Sequence, residues 1–148
     1  MNNDVVIYQS SDGLVKMEAI VDASNETIWA TQKAMAQLFG VNVPAISKHL
    51  KNIYSEGELA ESMTISKMET VVQRGFRGAV REMVEFYNLD AIISVGYRIN
   101  SRQATAFRQW ATSVLKQYMI KGYAVNQNAV SEQKYEDLKR ALGLLENV

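Results

Sequence analysis

The N-terminal thirty residues have the apolar spacing of β-strands. The segments "DVVIY" and "LVKMEAIVD" are β-branched or partly alternating, and the turn signal "SDG" joins them, which predicts an antiparallel hairpin. The segment "ETIW" adds a short strand before the apolar spacing changes to that of a helix. We expect this hairpin to lie beside the helical unit that follows and to cover one of its faces.

The next stretch, "TQKAMAQLFGVNVPAISKHL", predicts two short helices joined at a bend. Thr31 suits the N-cap of a helix from about Gln32 to Phe39, because its hydroxyl accepts an unpaired backbone N–H. Gly40 suits the left-handed residue that ends such a helix. Pro44 belongs in the first turn of a second helix, from about Val43 to Tyr54, where its missing N–H costs nothing. Apolar residues at the spacing of a helix-turn-helix would hold the pair together: Met35, Ala36, Phe39, Val41, Ile46 and Leu50.

The second half of the chain predicts two strands and two further helices. The segments "MTISKMETVVQ" and "AVREMVEFY" read as strands joined by the loop "RGFRG". Asn88 suits the N-cap of "LDAIISVGY", and Asn100 or Ser101 suits that of the longest helix, which should end near Lys121-Gly122. Its periodicity predicts a buried stripe of Phe107, Trp110, Ala111, Val114, Leu115 and Tyr118, with Arg108, Gln109, Lys116 and Gln117 outside.

These elements predict an α+β fold: a winged-helix-like helix-turn-helix domain with small antiparallel β hairpins and a trailing C-terminal helix. We expect the domain to span residues 1–125 and the trailing helix residues 126–148. The helix has apolar residues at coiled-coil-like intervals up to the terminus, which predicts an oligomerisation segment or the start of a longer region. These residues, a candidate surface for a protein partner, are Tyr135, Leu138, Leu142 and Leu145.

Composition narrows the possible chemistry. The 148 residues contain no Cys and a single His, so disulfides, thiolate metal sites and histidine clusters are excluded, and we expect neither a metal nor a cofactor. The N-terminus lacks the pattern of a secretion signal, and no apolar run approaches the roughly 18 residues that span a membrane. We therefore expect a soluble cytoplasmic protein that does not associate with membranes.

The formal net charge is zero, but the charges are unevenly placed. Residues 1–62 hold 4 basic and 8 acidic side chains, whereas residues 63–123 hold 9 basic and 4 acidic ones. Because polyanion binding depends on local clusters, the middle of the chain can face phosphate although the whole is neutral. The alternative is that these charges form ordinary solvated faces.

A helix-turn-helix would place its second helix in the major groove of double-stranded DNA. Asn42 and Ser47 would then reach base edges, Lys48 a guanine or a phosphate, and Lys51 a phosphate. The first helix would lie over the DNA backbone through Thr31, Gln32 and Lys33, where free N–H groups favour phosphate oxygens. The alternative is a pair of packed helices that binds nothing.

The loop "RGFRG" is the second candidate for DNA contact. Arg74 and Arg77 at a hairpin tip are similar to the wing of a winged helix, where arginine enters a minor groove or holds phosphate. A solvated hairpin is the equal alternative. Enzymatic chemistry has little support, because the carboxylates are scattered and neither a phosphate-binding glycine loop nor metal-ligand spacing is present. We expect no catalytic residue.

The segments "YNLDAIISVGYRINS" and "FRQWATSVLKQYMIKGY" are the most specific parts of a longer stretch, residues 26 to 126, that closely resembles the RhuM family of bacterial virulence-associated proteins. The second segment is also similar to the closing helix of Bro-type phage antirepressor N-terminal domains. The resemblance implies a DNA-binding protein of mobile elements or pathogenicity regions, without established enzymatic activity. RhuM proteins are usually longer, so we expect this chain to be the N-terminal portion. Pro44 replaces the Arg or other polar residue of relatives, which leaves Asn42, Ser47 and Lys48 to specify bases.

Two functions follow as expectations. The first is DNA binding in transcriptional control or antirepressor-like regulation, with a dimer of the chain on palindromic half-sites and the Tyr87–Gly122 block as support or dimer surface. The second is a protein-interaction or adaptor module, associated with the Fic or death-on-curing type toxin domains to which some relatives are joined.

Overall fold

The computed structural model describes residues 5–10, 12–124, 137–138 and 140–143, and within them it confirms the α+β class. Five strands form one sheet in which every pairing is antiparallel. The strands are β1 (Val5–Gln9), β2 (Lys16–Asp22), β3 (Thr27–Ala30), β4 (Ile65–Gln73) and β5 (Ala79–Asn88). Their order in the sheet is β1-β2-β3-β5-β4, so the two hairpins predicted from the sequence are joined through the short strand β3.

Most of the helices begin where the sequence provides a side-chain cap. Thr31 and Asn88 cap their helices as predicted, and of the two candidates for the longest helix, the Ser101 hydroxyl accepts the N–H of Ala104 at 2.9 Å. The helices are α1 (Gln32–Phe39), α2 (Val43–Ser55), α3 (Glu61–Thr64), α4 (Leu89–Arg98) and α5 (Arg102–Lys121). The short helix α3 was not predicted, and it delays the start of β4 to Ile65.

The loop between β2 and β3 is organised by a buried carboxylate. Asp22 accepts hydrogen bonds from the indole N–H of Trp29 at 2.9 Å and from the Asn25 amide at 2.8 Å. The Ser24 hydroxyl donates to the same carboxylate at 2.9 Å. These donors, Asn25 first and Trp29 next, favour the ionised form and lower the pKa of Asp22 to about 2. The loop is therefore organised around an ionised carboxylate that accepts hydrogen bonds from three side chains.

The core lies between one face of the sheet and the helices. Met17 and Ala19 of β2 pack into it, which confirms that the first hairpin covers a face of the helical unit. Two phenylalanine rings meet edge to face at its centre, those of Phe39 and Phe107, with centroids 5.2 Å apart. Gly96 of α4 lies against both rings. A Cβ there would stand 2.9 Å from two atoms of the Phe39 ring and 3.0 Å from the Phe107 ring.

The start of α5 is fastened to the end of α1 and to α4. The Ser101 hydroxyl donates a 2.6 Å hydrogen bond to the carbonyl of Phe39, the last residue of α1. The Arg108 guanidinium donates to the carbonyls of Gly96 and Ile99 at 2.8 and 2.9 Å. Arg108 is therefore half-buried and hydrogen-bonded to α4 and the residue after it. The prediction that Arg108 lies on the outside of α5 is wrong.

The predicted buried stripe of α5 is correct only at Phe107. The other five residues are exposed or half-buried, and Leu115 and Tyr118 are more than half exposed. The described residues divide into two compact units at Trp110 and Ala111, so the core that buries Phe107 belongs to the first unit. In the predicted C-terminal stripe, Leu138 and Leu142 are helical, whereas Tyr135 and Leu145 lie outside the described residues.

Candidate nucleic-acid interface

The turn between α1 and α2 is fixed by backbone geometry and by a cap. Gly40 has φ 66°, the left-handed conformation predicted for it, and its N–H returns to the carbonyl of Ala36. Asn42 then caps α2, because its side-chain oxygen accepts the N–H of Ala45 at 2.9 Å. Pro44 lies in the first turn as predicted. The sequence therefore sets where α1 ends and where α2 begins.

Helix α2 has one buried and one exposed face. Ile46, Leu50 and Ile53 are buried at three- and four-residue spacing, and they fix the rotation of the helix about its axis. The opposite face exposes Ser47, Lys48 and Lys51, and the N-cap residue Asn42 is exposed at the start of the helix. The structure therefore places three of the predicted positions on one accessible face of α2 and the fourth, Asn42, at its N-terminal end.

The three predicted positions of α1 differ in accessibility. Lys33 is exposed, whereas Thr31 and Gln32 are half-buried. The Thr31 hydroxyl accepts the N–H of Ala34, and the Gln32 amide donates a 3.0 Å hydrogen bond to the Tyr87 hydroxyl. The Thr31 side chain thus caps α1, and the Gln32 side chain connects the start of this helix to strand β5.

Tyr87 connects this end of α1 to β5. Its hydroxyl accepts from Gln32 and donates to the Glu85 carboxylate at 3.0 Å. Burial, followed by the hydrogen bond to Glu85, raises the pKa of Tyr87 to about 12, although the hydrogen bond from Gln32 opposes the shift. The neutral phenol is therefore the form that fits this position.

All charged side chains within α1 and α2 themselves are positive. From Thr27 to Ser55 the sequence contains Lys33, Lys48 and Lys51 and no Asp or Glu. Burial, together with the positive charges of Arg98 and Lys48, lowers the pKa of His49, which favours the neutral imidazole. The exposed face of α2 therefore owes its positive charge to its lysines.

Acidic residues follow directly after the end of α2, and Arg98 pairs with two of them. The Arg98 guanidinium lies 2.6 Å from a Glu56 carboxylate oxygen and 3.6 Å from a Glu58 oxygen. Its hydrogen bond lowers the pKa of Glu56. Arg98 joins the end of α4 to the end of α2 and offsets the negative charge nearest the lysines. Sequence reasoning did not identify this residue, because 42 positions separate the partners.

The two arginines at the tip of the β4–β5 hairpin have different environments. The Arg74 guanidinium makes two hydrogen bonds to the Glu82 carboxylate, one of them 2.8 Å long, and this pairing lowers the pKa of Glu82. Arg77 is exposed and has no ion pair within 4 Å among the residues that the structure describes. Of the two predicted positions, Arg77 is therefore the cation available to a ligand.

The exposed side of α1 also borders a groove of about 290 Å³. Thr31, Lys33 and Gln37 line it on the helix side, and Ile20 and Phe86 line it on the sheet side. Over the described ranges, no cluster of three His, Cys, Asp or Glu residues has the geometry to hold a metal ion. The groove is thus bordered by apolar sheet residues, by Lys33 of the candidate interface and by the acidic Glu18 of β2.

No helix in the described part of the chain has the length and apolarity needed to cross a membrane. The chain matches no curated protein and no solved structure. A sequence model described as "Virulence protein RhuM family" matches residues 63–148, which include β4, β5, α4 and α5 and exclude the α1–α2 pair. Because that match covers more than half of the chain, this protein belongs to the RhuM family of virulence proteins.

Proposed function

We propose that this protein binds double-stranded DNA through α2, as a helix-turn-helix protein of winged-helix-like architecture. One observation carries the proposal. The buried stripe of Ile46, Leu50 and Ile53 turns Ser47, Lys48 and Lys51 outward on a helix that follows a glycine turn. A helix presented in this way fits the major groove, which admits one α-helix.

The residues of α2 divide into base and phosphate contacts. Ser47 and Lys48 lie in the first half of the helix, where side chains approach base edges, and Lys51, one turn later, reaches a phosphate. Asn42 uses its side-chain oxygen as the cap, so its amide N–H₂ is the group left for an acceptor on a base.

The start of α1 contacts the DNA backbone mainly through its free N–H groups and Lys33. Thr31 and Gln32 act by holding this helix end in place, because their side chains are already bonded within the protein. The β4–β5 hairpin serves as the wing, with Arg77 as its phosphate or minor-groove contact. Arg74 stiffens the hairpin through Glu82.

We assign the protein a regulatory rather than an enzymatic role, acting on cytoplasmic DNA as a transcriptional or antirepressor-like factor of a mobile element or pathogenicity region. Membership of a virulence-associated family is consistent with this role. The α1–α2 pair lies outside the matched residues, so the DNA-binding proposal depends on the geometry and charge of α2.

Salt titration of binding to mixed-sequence duplex DNA tests the proposal. Each lysine that contacts phosphate contributes about 0.9 to the slope of log K against log salt, so Lys48→Ala with Lys51→Ala should flatten the slope by about 2 if both reach phosphates. If Lys48 reads a base instead, the slope should fall by about 1.

The matched control removes two positive charges elsewhere in the protein. Lys16→Ala with Lys67→Ala changes exposed lysines on β2 and β4 and should leave the affinity within about twofold of the parent. Equal losses in both double variants would refute a specific role for α2, and so would a parent protein that fails to bind DNA in low salt.

A further inference from the structure

Phe76 lies at the tip of the β4–β5 hairpin and is fully exposed to solvent. The other three phenylalanines of the chain are at most 6% exposed. The residues next to Phe76 do not cover its ring, because Gly75 precedes it and Arg77 and Gly78 follow it. The Phe76 ring therefore takes no part in the core and is accessible from all sides of the tip.

The tip holds Phe76 in a closed turn. Phe76 is the middle residue of a 3₁₀ turn (Gly75–Arg77), and the N–H of Arg74 donates to the carbonyl of Gly78 at 2.9 Å across the base of this turn. Gly75 and Gly78 have φ of 55° and 69°, a conformation that glycine adopts without strain. The turn is thus formed before any ligand binds, which reduces the entropy lost on binding.

The hairpin extends well beyond the short strand β3. Strand β3 pairs with β5 only at Tyr87 and Asn88, whereas β4 pairs with β5 along its whole length. Residues 79–86 of β5 therefore form a two-stranded ribbon with β4, about 25 Å long at about 3.3 Å per residue. This length is about twice the ~12 Å width of the major groove. A ribbon of this length spans from a helix in the major groove to the adjacent minor groove.

The charges around Phe76 suit a phosphate backbone. Residues 73–81 contain three arginines, Arg74, Arg77 and Arg81, and no Asp or Glu. The next acidic residue along the chain, Glu82, is already paired with Arg74. An apolar ring with arginines before and after it in sequence combines a group for the interior of a groove with cations for the phosphates that border it.

We propose that Phe76 is an apolar wedge that enters the minor groove beside α2, inserts partly between two base pairs and kinks the duplex. This inference rests on the proposed DNA-binding function. Phenylalanine is one of the side chains that proteins insert between base steps, with kinks of about 20–90°. A base step accepts a single side chain, whereas a standard protein interface takes about 800 Å² from each partner, more than one ring offers. The wedge favours pyrimidine–purine steps, which unstack most easily.

Fluorescence energy transfer between the ends of a labelled duplex of about 30 base pairs measures the bend. The parent should bend this DNA by at least about 20°, and Phe76→Ala should remove at least about half of the bend. Phe76→Leu should retain the bend, because leucine is also an apolar wedge. Met83→Ala is the matched control, because Met83 is an exposed apolar residue of the same hairpin away from the tip. It should bend DNA like the parent.

Two duplexes of equal length and composition test insertion itself. A duplex of alternating T and A offers a flexible TA step at every second position, whereas an A-tract is stiff. Phe76→Ala should weaken binding to the alternating duplex about five- to tenfold and binding to the A-tract by less than about twofold. The salt dependence of binding should remain that of the parent, because no charge is removed.

Each contrary result has a distinct meaning. A Phe76→Ala variant that bends DNA like the parent, or that loses affinity equally for both duplexes, would overturn the wedge and leave the role of α2 intact. A parent that fails to bind DNA would overturn both proposals. Binding of the parent to phosphatidylserine vesicles that is lost in Phe76→Ala, with an unchanged DNA bend, would overturn the wedge in favour of a lipid surface.

Discussion

Substitution of Gly96 by alanine should destabilise the protein, although alanine is the better helix former. Gly96 lies in the middle of α4, where a new Cβ would stand 2.9 Å from Phe39 and 3.0 Å from Phe107. Both phenylalanine side chains are buried and are packed edge to face against each other. Neither ring can move away without disturbing the core beneath α1.

Two opposing effects determine the magnitude for Gly96→Ala. Replacing glycine by alanine in a helix interior contributes about 1 kcal/mol of stability. Overpacking by one methyl group costs about 1–3 kcal/mol, and the upper part of that range applies because two buried rings are displaced. We therefore expect a net loss of about 1–2 kcal/mol, which lowers the melting temperature by about 3–8 °C for a domain of this size.

Urea unfolding followed by circular dichroism measures this loss. A double-mutant cycle with Phe107→Leu supplies the control, because the smaller side chain removes the contact of the new Cβ with the Phe107 ring, while the contact with Phe39 remains. The cost of Gly96→Ala should then be smaller in the Phe107→Leu background than in the parent by at least about 0.5 kcal/mol. A Gly96→Ala variant as stable as the parent, or fully additive effects in the cycle, would refute the packing argument.

Two further predictions concern pH. The folded-state pKa of Asp22 is lowered to about 2, so its stabilisation is complete above its unfolded value near 3.9 and is lost as the pH falls through about 2. The melting temperature of Asp22→Asn should be lower than that of the parent at pH 7, and the difference should shrink as the pH falls to 2. A difference that stays constant down to pH 2 would contradict this. The folded-state pKa of Tyr87 is raised to about 12, so its contribution is complete below its unfolded value near 10 and is lost as the pH rises through about 12. Between pH 10 and 12 the melting temperature of Tyr87→Phe should fall less than that of the parent. Substitution of the exposed Tyr97 by Phe serves as the control. Parallel curves of melting temperature against pH for Tyr87→Phe and the parent would count against the argument.

Local chemistry made the boundaries of the helices predictable. Thr31, Gly40 and Asn88 determine the ends of their helices through hydrogen bonds or backbone angles within a few residues. The same locality made the strands predictable, because their apolar residues and turn signals lie next to each other along the chain. The elements that were predicted correctly are those determined by residues close to one another in sequence.

The missed features depend on residues that are distant in sequence. Periodicity correctly identified an apolar face on α5, but it did not show that the core covering this face ends after Phe107. The hydrogen bond from Gln32 to Tyr87, 55 positions away, could not be read from the sequence. The pairing of Arg98 with Glu56 was missed for the same reason. Sequence spacing indicates which side chains share a face, whereas the tertiary fold decides what they meet.

The hydrogen bond from Ser101 to the carbonyl of Phe39 has a consequence for engineering. It links the end of α1, just before the glycine turn, to the first turn of α5. A peptide limited to residues 31–55 would lack this restraint and the Phe107 ring that supports the same helix end. Grafting the two helices onto another scaffold would therefore transfer their side chains but not the contacts that help to fix the angle between the helices.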